Sequence, residues 1–275
     1  MFEIVFEGVW KRYGLWYALR DVSFSFTGPG LLLVYGPNGS GKTTLAKIIL
    51  GLARPSRGRV IVGGVDPATQ PRRVQGMIAN LLEGVAVPSW LTGRELARYY
   101  ARTRGVPWSL VVEEAETLGV TGYWGRVIAG YSMGMRKKLL LALALAGSRE
   151  AEALLLDEPY TFLDAASRER VAERIRSVSR EKTVVVATHL ITGAEEEARE
   201  ALVLDNGRLV ARLRRSESGV VACPRERAWE TEAEYCLPRR GEAVCYRPRR
   251  VPAGCRPVLD PEALLRAHTE VYGRE

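Results

Sequence analysis

LLLVYGPNGSGKTT, residues 31–44, decides the fold. Gly28-Pro29-Gly30 turns the chain into the continuous apolar run Leu31 to Tyr35, which predicts a strand buried on both faces. Leu45, Ile48, Ile49 and Leu52 then mark one face of a helix. Between strand and helix, Gly36, Gly41, Lys42 and Thr43 satisfy GxxxxGK[ST]. Glycines let backbone N–H groups wrap phosphates, a lysine supplies positive charge to the terminal phosphates, and a hydroxyl at the helix start faces Mg²⁺. Gly36, Pro37, Asn38, Gly39, Ser40, Gly41, Lys42, Thr43 and Thr44 are therefore the nucleotide-binding candidates. A chance glycine-rich turn would not be expected between a buried strand and an amphipathic helix.

Upstream, Val22, Phe24 and Phe26 alternate with polar residues, the pattern of a half-buried strand. Downstream, residues 94–104 and 109–118 read as helices separated by Gly105-Val106-Pro107, and a third helix starts near Ser132. Leu154 to Asp157 is a second buried strand, Val171, Ile175 and Val178 stripe a helix, and TVVVAT (183–188) is a third buried strand. Asn206-Gly207 between two apolar runs predicts a hairpin. Alternating strands and helices give an α/β fold with a mainly parallel sheet covered on both faces. From about residue 216 periodicity fades, and the segment reads as an appendage without further sheet, closed by a short helix from Pro261.

Asp157-Glu158 ends an apolar strand, so both carboxylates belong at the C-terminal edge of the sheet, beside the phosphate loop. There Asp157 can hold Mg²⁺ and Glu158 can polarise an attacking water. His189 follows TVVVAT at the corresponding edge.

The 275 residues are 47% hydrophobic and 26% charged, the composition of a globular protein. The longest apolar stretch, Leu139 to Gly147, falls well short of the roughly 20 residues of a membrane span. Forty basic against 32 acidic residues give +8, which raises the question of nucleic acid or an anionic membrane. The excess divides evenly between residues 1–206 and 207–275, so no basic tail stands out and no specific nucleic acid is expected. The first ten residues carry two acidic groups and no basic region before an apolar core, unlike a secretory leader, which predicts a cytoplasmic location. Cys223, Cys236, Cys245 and Cys255 form no CxxC pair; three disulfide pairings are formally open, with free thiols the default in a cytosolic protein.

GPNGSGKTT, YSMGM (131–135), LLLDEP (154–159), FLD (162–164) and the lone histidine after a strand, taken in order, resemble the ATPase subunit of an ATP-binding cassette (ABC) transporter. The resemblance covers residues 1–215 and implies a P-loop NTPase cassette. It implies an inserted α-helical subdomain at about 86–134 and leaves 216–275 as a C-terminal extension. It further implies ATP and Mg²⁺ as cofactors and a homodimer in which each ATP lies between one chain's phosphate loop and the other's signature. On this resemblance Tyr13 stacks on adenine, Ser132 and Gly134 meet the partner's γ-phosphate, Asp164 sits at the dimer seam, and Glu158 and His189 are catalytic. Thr43, Asp157 and Glu83 are the metal set. A separate transmembrane permease subunit would make the chain peripheral on the inner face of the membrane.

Two positions depart from the family pattern. Glu83 stands where the family has Gln, adding negative charge near the γ-phosphate. Met133 adds bulk beside Gly134, where the commoner signature is LSGGQ. YSMGM and LTGRE (91–95) resemble the drug and antibiotic export branch. The alternative is a soluble cassette ATPase acting on nucleic acid or a protein assembly. Coiled-coil or paired-cassette architectures typical of that class have no counterpart here.

Overall fold

The computed structural model describes residues 1–190 and 198–215, and the backbone of four short strands between 220 and 257. β1 (Glu3–Tyr13) and β2 (Trp16–Thr27) form a hairpin, and β3 (Gly30–Tyr35) leads into α1 (Lys42–Ile49). There follow β4 (Arg57–Val62), α2 (Pro71–Met77), β5 (Ile78–Leu81), α3 (Gly93–Arg104), α4 (Trp108–Thr117) and α5 (Met133–Ser148). β6 (Ala153–Asp157), α6 (Ala165–Ser179), β7 (Thr183–Thr188), β8 (Glu200–Asp205) and β9 (Arg208–Arg214) come next.

The central sheet has six strands in the order β5-β6-β7-β3-β8-β9, parallel except for the last pair. Its inner strands β3, β6 and β7 are buried on both faces, which is why Leu31 to Tyr35 and TVVVAT read as unbroken apolar runs. Alternate residues feed two cores. Leu31, Leu33, Leu154, Leu156, Val184 and Val186 pack with α3, α4, α5 and α6. Leu32, Val34, Leu155 and Val185 pack with α1 and with a three-stranded antiparallel sheet, β2-β1-β4. Each core buries the opposite pleat of one sheet, and no helix in the described residues is long and apolar enough to cross a membrane.

The antiparallel sheet was not foreseen from the sequence. Its central strand β1 has a register shift between Phe6 and Val9, at Gly8 (φ 55°), which breaks the period-two pattern. The predicted strand around Val22, Phe24 and Phe26 is β2, with all three side chains buried. The Asn206-Gly207 hairpin joins β8 to β9, both turn residues having positive φ (46° and 77°) as a type I′ turn requires. Leu52 departs from expectation: the chain turns at Gly51 (φ 67°), so Leu52 lies past the end of α1 and is exposed.

The expectation of no further sheet beyond residue 216 is overturned. β10 (Val220–Pro224), β11 (Tyr235–Pro238), β12 (Glu242–Tyr246) and β13 (Arg256–Pro257) form an antiparallel sheet in the order β11-β12-β10-β13. None exceeds five residues, too short for alternation to register against the flanking Pro and Arg. Cys223 lies on β10, and Cys236 faces Cys245 in the β11–β12 register. Cys255 and the helix predicted from Pro261 lie outside the described residues.

Candidate functional site

β3 delivers the chain to Gly36, where a Cβ would meet the Leu204 carbonyl oxygen at 2.2 Å, so only glycine lets the loop pass β8. Gly41 (φ 107°) is the second obligatory glycine, because a Cβ there would lie 2.5 Å from the Ala18 carbonyl oxygen. Gly41 also caps α1 with no side-chain acceptor, leaving the first N–H groups of α1 free for an anion. Lys42 opens α1 and is buried; its Nζ donates to the carbonyls of Gly36 (2.9 Å) and Pro37 (3.0 Å). The same ammonium lies 3.4 Å from Glu158 Oε1.

Asp157, the last residue of β6, is fully buried. Burial pushes its carboxyl above the usual range, against hydrogen bonds from the Thr43 side chain and the Glu83 backbone N–H that favour the charged form. Its Oδ1 has no hydrogen-bond partner among the described residues, whereas Oδ2 accepts from the Glu83 N–H at 3.5 Å. A hard oxygen left bare in the interior, next to a threonine hydroxyl and a second carboxylate, fits a small divalent cation such as Mg²⁺.

Glu158 follows with φ 49°, a left-handed conformation unusual for a non-glycine residue. Its N–H donates to the Ala187 carbonyl (2.8 Å), tying the strained turn to β7. The carboxylate is 5% exposed: Thr188 Oγ1 donates to Oε2 (3.1 Å) and His189 Nδ1 lies 2.9 Å from the same oxygen. The His189 side chain is one-third exposed, so its ring reaches open space while anchored to Glu158.

These groups meet in a cleft of about 610 Å³ lined by Tyr13, Asn38, Gly39, Gly41, Lys42, Thr43, Thr44, Glu83, Glu158 and His189. Pro37 and Ser40 complete the loop beneath it, Ser40 being buried. Tyr13 is half exposed at the β1–β2 hairpin, with Lys11 Nζ 4.6 Å from its ring centre. The sequence reading did not select Trp16, Ala18 or Thr161, which also line the cleft. Trp16 pairs with Tyr13 across the hairpin, and Thr161 Oγ1 donates to the Glu158 carbonyl (2.9 Å). A second exposed aromatic three residues after Tyr13 was the available signal for Trp16.

Ser132, Gly134 and Asp164 do not line this cleft. Ser132 caps α5, its Oγ accepting from the Met135 N–H (3.1 Å), and a Cβ on Gly134 would lie 2.7 Å from the Phe162 carbonyl oxygen. Asp164 caps α6 through the Ser167 N–H (2.8 Å) and accepts from Lys138 Nζ (2.7 Å). The Lys138 bond and the two Ser167 bonds hold its carboxyl well below the usual range. Met133 and Phe162 stand exposed beside this α5 start.

Residues 19–161 match the family model described as ABC transporter. The ABC transporter ATP-binding protein NatA of Bacillus subtilis is 31% identical over 201 residues, covering 71% of this chain and 81% of that protein. The daunorubicin resistance ATP-binding protein DrrA2 of Streptomyces coeruleorubidus is 36% identical over 213 residues, 74% of this chain and 65% of that protein. Among solved structures, the dimeric post-hydrolysis state of an ATP-binding cassette bound to ADP and Pi superimposes with a TM-score of 0.69 at 20% identity. It covers 77% of this chain and 98% of that one, a likeness of fold.

Proposed function

Because the chain belongs to the ABC transporter family, whose cassettes bind and hydrolyse ATP, we propose that it is the ATPase subunit that powers a transporter by ATP-driven closure of a homodimer. The observation that carries this reading is the Lys42–Glu158–His189 chain of contacts in the cleft, with Asp157 behind it. The triphosphate lies over the Gly36 to Thr44 loop, its charge met by Lys42 and by the free N–H groups at the start of α1. A phosphate that draws Lys42 away from Glu158 Oε1 frees that oxygen to accept a proton from water. Thr188 and His189 keep the other oxygen, and therefore the carboxylate plane, fixed. Mg²⁺, held by Thr43 and Asp157 with Glu83 alongside, would neutralise charge on the β- and γ-phosphates. Tyr13 stacks on the base.

Ser132 and Gly134 are assigned to the γ-phosphate of the partner's ATP, and Asp164 to the seam between chains. Support comes from the α5 N-terminus, which offers N–H groups away from its own chain's cleft, and from the dimeric cassette of the same fold. Residues 1–215 are the cassette, about 86–134 its helical part facing a membrane permease on a separate chain, and 216–275 an extension. The chain is then peripheral on the cytoplasmic face of the membrane. Export is the direction, a reading supported by the drug-resistance relative and by the YSMGM signature.

Phosphate release by wild type and Glu158→Gln tests the assignment. The variant should bind ATP normally and lose about 10²-fold or more of its turnover, the range for removing a general base. Turnover within a few-fold of wild type would remove Glu158 from that role.

A further inference from the structure

Lys137, one turn into α5, is a buried cation that the scheme above does not use. Its Nζ donates to the Asp157 carbonyl oxygen at 3.4 Å, the single hydrogen bond it makes among the described residues, and no carboxylate there lies within 4 Å of it. An ammonium has three donors and loses solvation on burial, so it needs compensating charge nearby. Burial holds its ammonium below the ordinary lysine range, while the nearby carboxylates of Glu83, Asp157 and Glu158 favour its charged form. Glu83 and Lys137 line the same groove of about 340 Å³, between the segment after β5 and the first turns of α5, together with Arg136, Met133 and Phe162. Glu83 lines the nucleotide cleft as well, so it connects the two spaces.

Three carboxylates surround the place assigned to the γ-phosphate, and Lys42 can answer only one of them. We propose that Lys137 is a positioning residue for the phosphate site, its ammonium, held against the Asp157 carbonyl in the groove it shares with Glu83, balancing Glu83 so that a polyanion can bind beside three carboxylates. The inference rests on the nucleotide reading of the cleft. It concerns charge held by this chain's own side chains, and so predicts an effect on ATP binding when no metal is present. Loss of Lys137 leaves the site one unit more negative, and neutralising Glu83 restores the balance. A lysine that only fills space under β6 would show no such relation to Glu83.

The test is equilibrium binding of ATP in excess EDTA, at low salt, to wild type, Glu83→Gln, Lys137→Met, Lys137→Arg and the Glu83→Gln/Lys137→Met double variant, with thermal unfolding recorded for each. Lys137→Met should bind about tenfold more weakly, a size set by one charge acting across several ångströms of partly screened protein. Lys137→Arg and the double variant should return to within about threefold of wild type, and Glu83→Gln alone should bind more tightly than wild type. Wild-type affinity in Lys137→Met, or a double variant as weak as Lys137→Met, overturns the proposal. Should Lys137→Met fail to fold, Glu83→Gln decides by itself, because Glu83 is exposed: unchanged affinity refutes charge balance. A wild-type chain that binds ATP neither in EDTA nor with Mg²⁺ would instead sink the nucleotide reading, and one that binds only with Mg²⁺ overturns the metal-independent charge balance proposed for Lys137.

Discussion

Asp164 shows how one side chain can serve local structure and a proposed seam together. As the N-cap of α6 it accepts from the Ser167 N–H, and it also holds Lys138 of α5. Asp164→Ala should lower stability by about 1 kcal/mol at neutral pH, the ordinary value of such a cap. Its carboxyl lies below the usual range in the folded chain, so the stabilisation is present above the unfolded pKa and is lost as pH falls through the lower folded value. Denaturant unfolding of wild type and variant should therefore show the gap shrinking below about pH 4. A gap independent of pH would mean that the charge contributes nothing. Asp157, Glu158 and His189 were legible as residues because each lies at or just past the end of an unbroken apolar strand, Lys42 because it opens the helix after the glycine loop, and Glu83 only through the family resemblance. Their mutual contacts were not: Lys42 to Glu158 and Glu158 to His189 join positions 116 and 31 apart in sequence, a distance only the β3-β7-β6 order closes.

At the level of elements, α4 and α6 are joined by one buried ion pair. Glu114 is 2% exposed, and Arg174 Nε donates to its Oε2 at 3.0 Å while Nη2 contacts Oε1 and reaches Glu113 Oε1 at 3.0 Å. This pair ties the α3–α4 block to the helix that packs on the central sheet. Arg174→Ala leaves a carboxylate uncompensated in the interior and should cost about 3 kcal/mol, the low end for breaking a buried pair, since Arg174 is itself one-quarter exposed. Chemical denaturation measures this directly; a loss below about 0.5 kcal/mol would place the pair with ordinary surface bridges. Elements with strong periodicity were legible: β3, β6, β7, α3 and α4 fall within a residue or two of expectation, α5 starts one residue after Ser132, and α6 contains the predicted stripe Val171, Ile175 and Val178. β1 was hidden by its bulge, and β10 to β13 by their shortness. Thr92-x-x-Glu95, a capping box in which each side chain bonds the other's backbone N–H, was a further start signal for α3 in plain view.

Across the whole molecule, the absence of Ser132 and Gly134 from the cleft bears most on function. The phosphate loop, Glu158 and His189 face one opening, while the α5 N-terminus presents its N–H groups elsewhere, so the proposed reading completes the site with a second chain. The cassette fold and the family could be read from motif order alone, because each motif requires a strand end or a helix start that the next element supplies. Residues 216–275 carried no such motif, and their sheet is a finding of the structure. Sedimentation of Glu158→Gln with and without ATP tests the composite site most directly. The account predicts a monomer without nucleotide and a species of twice that mass with ATP, lost again in the Glu158→Gln/Ser132→Arg double variant. ATP binding by a chain that remains monomeric at every protein concentration would contradict it.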